Sequence, residues 1–199
     1  MEPSEADVAL ADPALADADA LRRVVEVLSA AHPAWGWVGV YLLVGDTLVL
    51  GPFVGPDTEH RQIPVGTGVC GTAVAEARNV VVDDVRTLDN YLACSVGTRS
   101  EIVVLIRDGG EVVGQFDVDS DEIGAFGPAD EALLEQLAAL AGPRCRRLAL
   151  SAAGVGQGVG APDPPAGFQG QGADDQSGHR VGPPPAEDRV EPQADDEDG

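Results

Sequence analysis

Glu101-Ile102-Val103-Val104-Leu105-Ile106-Arg107-Asp108-Gly109-Gly110-Glu111-Val112-Val113-Gly114-Gln115-Phe116-Asp117-Val118-Asp119 holds two β-rich runs separated by a glycine turn. β-branched residues crowd both runs, and Asp108-Gly109-Gly110 supplies the backbone freedom of a tight reversal. The stretch predicts a hairpin. Asp117 and Asp119 stand two apart, so a strand points both to one side of the sheet, with Val112, Gly114, Phe116 and Val118 on the other. Glu101 opens the preceding strand, within reach of Asp117 across the hairpin. Three gathered carboxylates repel one another as anions, so at least one should have a raised pKa. Such a group can bind a substrate ammonium or donate a proton. A solvated strand face is the simpler account of this run taken alone.

Outward from the hairpin, helical and strand patterns alternate. Trp37 to Val44 and Thr47 to Phe53 form a second β-rich pair joined by Gly45-Asp46. Asp17 to Ala31 carries Leu21, Val24, Val25 and Leu28 at core-facing helical spacing, and His32-Pro33 ends it. Gly66-Thr67-Gly68 leads into a short helix over about Cys70 to Ala77, followed by a strand over Asn79 to Val85. Arg86 to Arg99 reads as a loop holding Cys94. Pro128 opens a final helix with Leu133, Leu134, Leu137 and Leu140 on one face. The order predicts an α+β fold, a mostly antiparallel sheet with flanking helices.

Composition narrows the function. Among 199 residues, 34 are acidic and 12 basic, giving a net charge of −22; every basic residue is arginine. Such a chain is repelled by phosphate backbones and anionic bilayers, so nucleic-acid and membrane partners are disfavoured. Its start lacks the positive flank of a signal peptide, and the apolar stretch Trp35 to Val44 is too short to span a bilayer. Three cysteines are too few and too odd in number for a secreted disulfide framework. The expectation is a cytoplasmic protein with reduced thiols. Beyond Ser151, 17 of the last 48 residues are glycine or proline, and ten acidic residues face two arginines. That segment carries too little apolar surface to offset chain entropy. The predicted organisation is a domain over residues 17–150 and a disordered acidic tail over 151–199.

Each cysteine has two readings. Cys94 lies outside any apolar periodic run, which suits a reachable nucleophile, although a small apolar filler fits as well. Cys70 sits where a helix begins, and helix dipoles there favour a thiolate; the alternative is a small packed residue. Cys145 lies among Arg144, Arg146 and Arg147, which would favour a thiolate, but an ordinary helix-end position is the preferred reading. His32 and His60 lack metal-ligand spacing with any cysteine pair, so no zinc site is expected. Gly66-Thr67-Gly68 is too short for a dinucleotide or phosphate loop, and no cofactor is expected.

Several segments resemble the GAF-domain free methionine-(R)-sulfoxide reductases: Trp37-Val38-Gly39-Val40-Tyr41-Leu42, Leu50-Gly51-Pro52-Phe53, Ile63-Pro64-Val65-Gly66-Thr67-Gly68-Val69-Cys70-Gly71-Thr72-Ala73, Asp84-Val85, Ala93-Cys94, Ser100-Glu101-Ile102-Val103 and Phe116-Asp117-Val118-Asp119-Ser120. The resemblance covers roughly Asp17 to Leu148. It implies reduction of free methionine (R)-sulfoxide with Cys94 as nucleophile, passing through a sulfenic acid that a second thiol condenses to a disulfide. It further implies a thioredoxin-like reductant and pairing as a homodimer. Glu101, Asp117 and Asp119 match the carboxylates that hold the substrate amino group, and Trp37 and Tyr41 match the aromatic wall around its methyl group. His60 stands where many members carry a further cysteine, which leaves Cys70 as the matched partner of Cys94. Ser95 stands where an aspartate is usual. The alternative is a non-catalytic GAF module that senses a small molecule or redox state.

Overall fold

Two antiparallel hairpins meet side by side at the centre of a six-stranded sheet. The first pairs β1 (Trp35–Val44) with β2 (Thr47–Val54), and the second pairs β5 (Ser100–Asp108) with β6 (Glu111–Ser120). β1 and β6 run antiparallel and join the hairpins. β3 (Gln62–Pro64) and β4 (Val80–Val82) form the edges, giving the order β3-β2-β1-β6-β5-β4. The computed structural model describes residues 4–88 and 97–155, all within the unit Met1–Gly160. The second unit, Ala161–Gly199, lies outside the described residues, as do Cys94 and its neighbours from Tyr91 to Ser95.

One face of the sheet is an apolar core. Val38, Val40 and Leu42 from β1, Ile102, Val104 and Ile106 from β5, and Phe116 and Val118 from β6 point to it. Helices α1 (Glu5–Ala11), α2 (Asp17–Ala31) and α4 (Pro128–Val155) cover this side. Leu21, Val24, Val25 and Leu28 supply the α2 stripe, as their spacing predicts. The other face packs under α3 (Gly68–Ala75), with Trp37, Tyr41, Cys70, Val103 and Leu105 in one cluster.

The structure revises several local readings. Helix α1 and strand β3 escaped the sequence pattern, α3 begins two residues before Cys70, and the predicted strand over Asn79 to Val85 is a strand only at Val80–Val82. Leu140 is 43% exposed rather than buried. Leu134, Leu137, Ala138, Ala141 and Cys145 carry the α4 core stripe, and Leu140 falls roughly 120° away from its centre. Val112 does not share the side of Phe116. The register shifts between Ile106 and Arg107, which inserts one residue into the β6 edge of the ladder, so Val113 joins the α2–α4 core and Val112 the opposite cluster. Helix α4 continues past Ser151 to Val155.

Two of the close approaches that need glycine seat helices on the sheet. A Cβ on Gly142 of α4 would fall 2.1 Å from the Arg107 carbonyl oxygen, so glycine lets α4 lie directly on β5. A Cβ on Gly71 of α3 would fall 2.4 Å from the Pro64 carbonyl oxygen, which seats α3 against β3. The second approach fixes where Cys70 points.

Candidate active site

The site begins with strand alternation. Across β1, β6 and β5, Trp37 pairs with Asp119 and Asp119 with Glu101, while Gly39 pairs with Asp117 and Asp117 with Val103. Residues at these register positions share the face under α3, because side chains repeat every second residue. Glu101, Asp117 and Asp119 are at most 2% exposed. The solvated-face account of these carboxylates is therefore wrong.

The aromatic wall forms on the neighbouring strand. A Cβ on Gly39 would fall 2.2 Å from the Trp37 ring, so the indole lies across this glycine. Trp37 stacks on Phe53 at 5.5 Å between ring centroids and faces Tyr41 at 6.3 Å. The Tyr41 hydroxyl donates to the His60 carbonyl oxygen at 2.8 Å, which brings the His60 position to the edge of the same wall.

Cys70 approaches from α3, in its first turn, and is buried. Its thiol donates to Glu101 Oε1 at 3.9 Å. The sulfur and the carboxyl oxygens of Glu101 and Asp117 lie within 4.8 Å of one another, a spacing that would also suit a small cation. The helix dipole favours negative charge on the sulfur, whereas the facing carboxyls oppose it.

Burial pushes the Glu101 carboxyl well above its usual range, and the charges of Asp117 and Asp119 push it further; the Cys70 thiol offsets part of the rise. Burial also raises Asp119, again with help from Asp117 and against the nearby Thr98 hydroxyl. No arginine contributes to either environment. A site with these properties favours the protonated carboxyl over its anion, and such a group can deliver a proton to a bound oxygen.

The third cysteine belongs elsewhere. Cys145 is fully buried in the α2–α4 core, and burial, with Asp17 nearby, pushes its thiol up to about 12. The flanking arginines do not activate it. Arg144 donates to the carbonyls of Leu10, Asp12 and Leu15 and to Asp17, Arg146 to Asp108 and Glu111, and Arg147 to Asp17. Cys145 is an ordinary core residue.

Of the predicted site residues, Cys70, Trp37, Tyr41, Glu101, Asp117 and Asp119 share the α3 face, and Cys94 lies outside the described residues. Sequence reading passed over Gly39, Thr98 and Gln115. Gln115 is fully buried on the strand face of Asp117, and neither amide atom meets a hydrogen-bond partner among the described residues. Its place at i−2 from Asp117 was the available signal.

Residues 18–143 match the GAF domain family. The chain is similar to a type II free methionine-R-sulfoxide reductase from Thermoplasma acidophilum, with a TM-score of 0.64 and 38% identity over 66% of this chain and 93% of that one. The chain belongs to the GAF domain family, in its free methionine-R-sulfoxide reductase branch. Within this GAF branch, the Neisseria meningitidis reductase, solved in complex with its substrate, gives a TM-score of 0.65 and 35% identity over 75% of this chain and 96% of that one. The free methionine-R-sulfoxide reductase of Escherichia coli is 47% identical over 103 residues, which span 52% of this chain and 62% of that protein. Among the described residues of this GAF chain, no helix is long and apolar enough to cross a membrane.

Proposed function

We propose that the protein reduces free methionine (R)-sulfoxide to methionine, consuming two thiols per turnover. The observation that carries this reading is the convergence of a buried thiol, Cys70, with two carboxyls, one of which burial and its neighbours bias towards the protonated form. An aromatic wall stands beside them, and the chain's branch of the GAF family contains reductases of this name.

Cys94 is the nucleophile in this proposal. Its thiolate attacks the sulfoxide sulfur while a carboxyl of the Glu101–Asp117–Asp119 group protonates the oxygen. Attack forms a sulfur–sulfur bond; the oxygen then passes to the Cys94 sulfur as that bond and the substrate's S–O bond break, so methionine leaves and Cys94 remains as a sulfenic acid. The Cys70 sulfur then attacks that sulfenic sulfur, water leaves, and a Cys70–Cys94 disulfide remains. A dithiol reductant of the thioredoxin class restores both thiols. Trp37 and Tyr41 receive the methyl group, and the unprotonated carboxylates hold the substrate ammonium. The ammonium lessens the repulsion among the acids, so substrate favours the ionised sulfur that attacks it.

Purified protein with dithiothreitol should consume the R epimer of free methionine sulfoxide and spare the S epimer. Cys94→Ser should abolish turnover, and mass spectrometry after substrate addition should find a Cys70–Cys94 peptide pair in the wild type. A wild type as inert as Cys94→Ser, with methionine nevertheless bound, would mark a binding module instead.

A further inference from the structure

Cys70, Glu101 and Asp117 bring one sulfur and two carboxyl groups to a single point. Cys70 Sγ, one Glu101 oxygen and one Asp117 oxygen lie within 4.8 Å of one another, and all three residues are at most 3% exposed. They come from three elements, the first turn of α3 and the paired strands β5 and β6, so the point is framed from two sides. Cys70 Sγ stands 3.9 Å from Glu101 Oε1. Zinc bonds of about 2.3 Å to sulfur and about 2.0 Å to oxygen, set at tetrahedral angles, put such a pair about 3.5 Å apart. Closing the difference takes a few tenths of an ångström.

Polar groups on either side of Asp117 lack partners. Gln115, two residues earlier on the same strand face, is fully buried, and neither amide atom meets a hydrogen-bond partner among the described residues. Asp119, two residues later and directly across the ladder from Glu101, is 2% exposed, and both of its carboxyl oxygens are in the same position. Among the described residues, no guanidinium pairs with Glu101 or Asp119. Each buried polar atom left unpaired costs about 1–3 kcal/mol. Water does not relieve that cost, because these atoms are sealed from it. A bare metal ion can, since it sits about 2.0–2.3 Å from its ligands in a gap too narrow for a water sphere of about 1.4 Å radius. The oxygens of Gln115 and Asp119 are the candidates for its fourth donor. Ion and substrate alike reach this face through local opening.

Donor chemistry selects the ion. All-oxygen sites suit magnesium and calcium, whereas a thiolate beside carboxylates suits zinc. We propose that Cys70, Glu101 and Asp117 form a binding site for one divalent cation of the zinc class, and that the bound ion shuts the reductase site. The second half rests on the reductase reading; the first half does not. On binding, the Cys70 S–H proton leaves to solvent as the sulfur–metal bond forms, and any proton on the two carboxyls leaves with it. The ion therefore removes both things the reaction asks of these residues: a sulfur free to attack the sulfenic acid, and an acid able to protonate the sulfoxide oxygen.

The probe is Cd²⁺, which takes the ligands of zinc and reports sulfur coordination by thiolate-to-metal absorption. The full chain, reduced and desalted, is titrated in excess Mg²⁺, which occupies the exposed carboxylates of so acidic a protein. One Cd²⁺ per chain should bind with this absorption, and Zn²⁺ should displace it. Cys70→Ser should lose the absorption, while Cys94→Ser and Cys145→Ser keep it. Glu101→Gln and Asp117→Asn should each weaken binding at least about tenfold, since even an outer-shell partner is worth that much. Cadmium NMR of the wild-type complex, which needs no variant, should report one sulfur ligand among oxygens. The site is overturned by absorption that survives in Cys70→Ser or vanishes in Cys94→Ser, by wild-type affinity in either carboxyl variant, or by a resonance of oxygens alone or of several sulfurs. For the block, reduced protein given one equivalent of methionine (R)-sulfoxide and no other reductant should release methionine at least about tenfold more slowly with one equivalent of Zn²⁺, and a chelator should restore the rate. An unchanged rate with Zn²⁺ bound overturns the block. An inert wild type defeats the reductase reading and the block with it, and the cadmium measurements still decide the site.

Discussion

Asp17 and Glu101 are both acids set against the same sheet, but they meet different company. Asp17, at the start of α2, receives two hydrogen bonds from Arg147 at 2.6 and 2.7 Å and one from Arg144 at 3.1 Å. Those guanidinium groups hold its carboxyl below the usual range. Glu101, on the α3 face, gathers with Asp117 and Asp119, and burial raises it instead. Twelve arginines and no lysine serve 34 acids in this chain, so cations are scarce. Arg144 and Arg147 serve the helix junction at Asp17, and no arginine is among the causes that shift Glu101 or Asp119. The first acid ties elements together as an anion; burial and its neighbours bias the second towards its protonated form.

The sharpest test of that contrast is Glu101→Gln, which keeps the shape and removes the proton store. Turnover of methionine sulfoxide should fall at least about a hundredfold, the scale of a lost general acid. The same variant should be no less stable than wild type at pH 8. Arg144→Leu is the converse. It leaves three backbone carbonyls and part of Asp17 without their buried donor, and should lower stability by about 3 kcal/mol in urea unfolding. Activity measured where the variant stays folded should change little.

The pH dependence of stability should also run in opposite directions. Glu101 and Asp119 bind protons more tightly folded than unfolded, so above an ordinary carboxylate pKa of about 4 the native state holds the extra protons. Stability then falls as pH rises, by roughly 1.4 kcal/mol per pH unit for each extra proton held, until the folded pKa is passed. Asp17, with its depressed pKa, contributes stability that is present above about 4 and lost as pH falls through its folded value. Melting curves from pH 3 to 8 should show both slopes; Glu101→Gln should flatten the upper one and Asp17→Asn the lower. The smallest effect belongs to Arg23→Ala, which removes a surface pair with Glu5 at 2.7 Å. It should move unfolding by less than about 1 kcal/mol, because water screens exposed charges.

The two hairpins and the α2 stripe were readable because each rests on local physics: β-branched runs, glycine turns and a repeat of three and four. Alternation likewise put Asp117 and Asp119 on one face. It did not reveal that the face is covered, since burial under α3 depends on Gly71 and on contacts distant in sequence. The Val112 side was misread because a register shift resets the count, and nothing in Glu111-Val112-Val113 announces it. Helix α1 was missed because its apolar face is only Ala6, Ala9 and Leu10, although Ser4 and Asp7 form a capping box. Cys145 bears out the preferred reading of an ordinary position: flanking arginines suggest activation in the sequence, yet in space each is turned to an oxygen elsewhere.

Along β6, the residues that anchor the core interleave with those that carry the chemistry. Phe116 sits between Gln115 and Asp117, and Val118 between Asp117 and Asp119, facing opposite ways on one backbone. Enlarging or shrinking either hydrophobic side chain would shift the peptide planes on which the acids are mounted. Directed evolution aimed at hardening the interior of this protein would therefore be tuning its acid strengths at the same time, whether or not the experimenter selected for it.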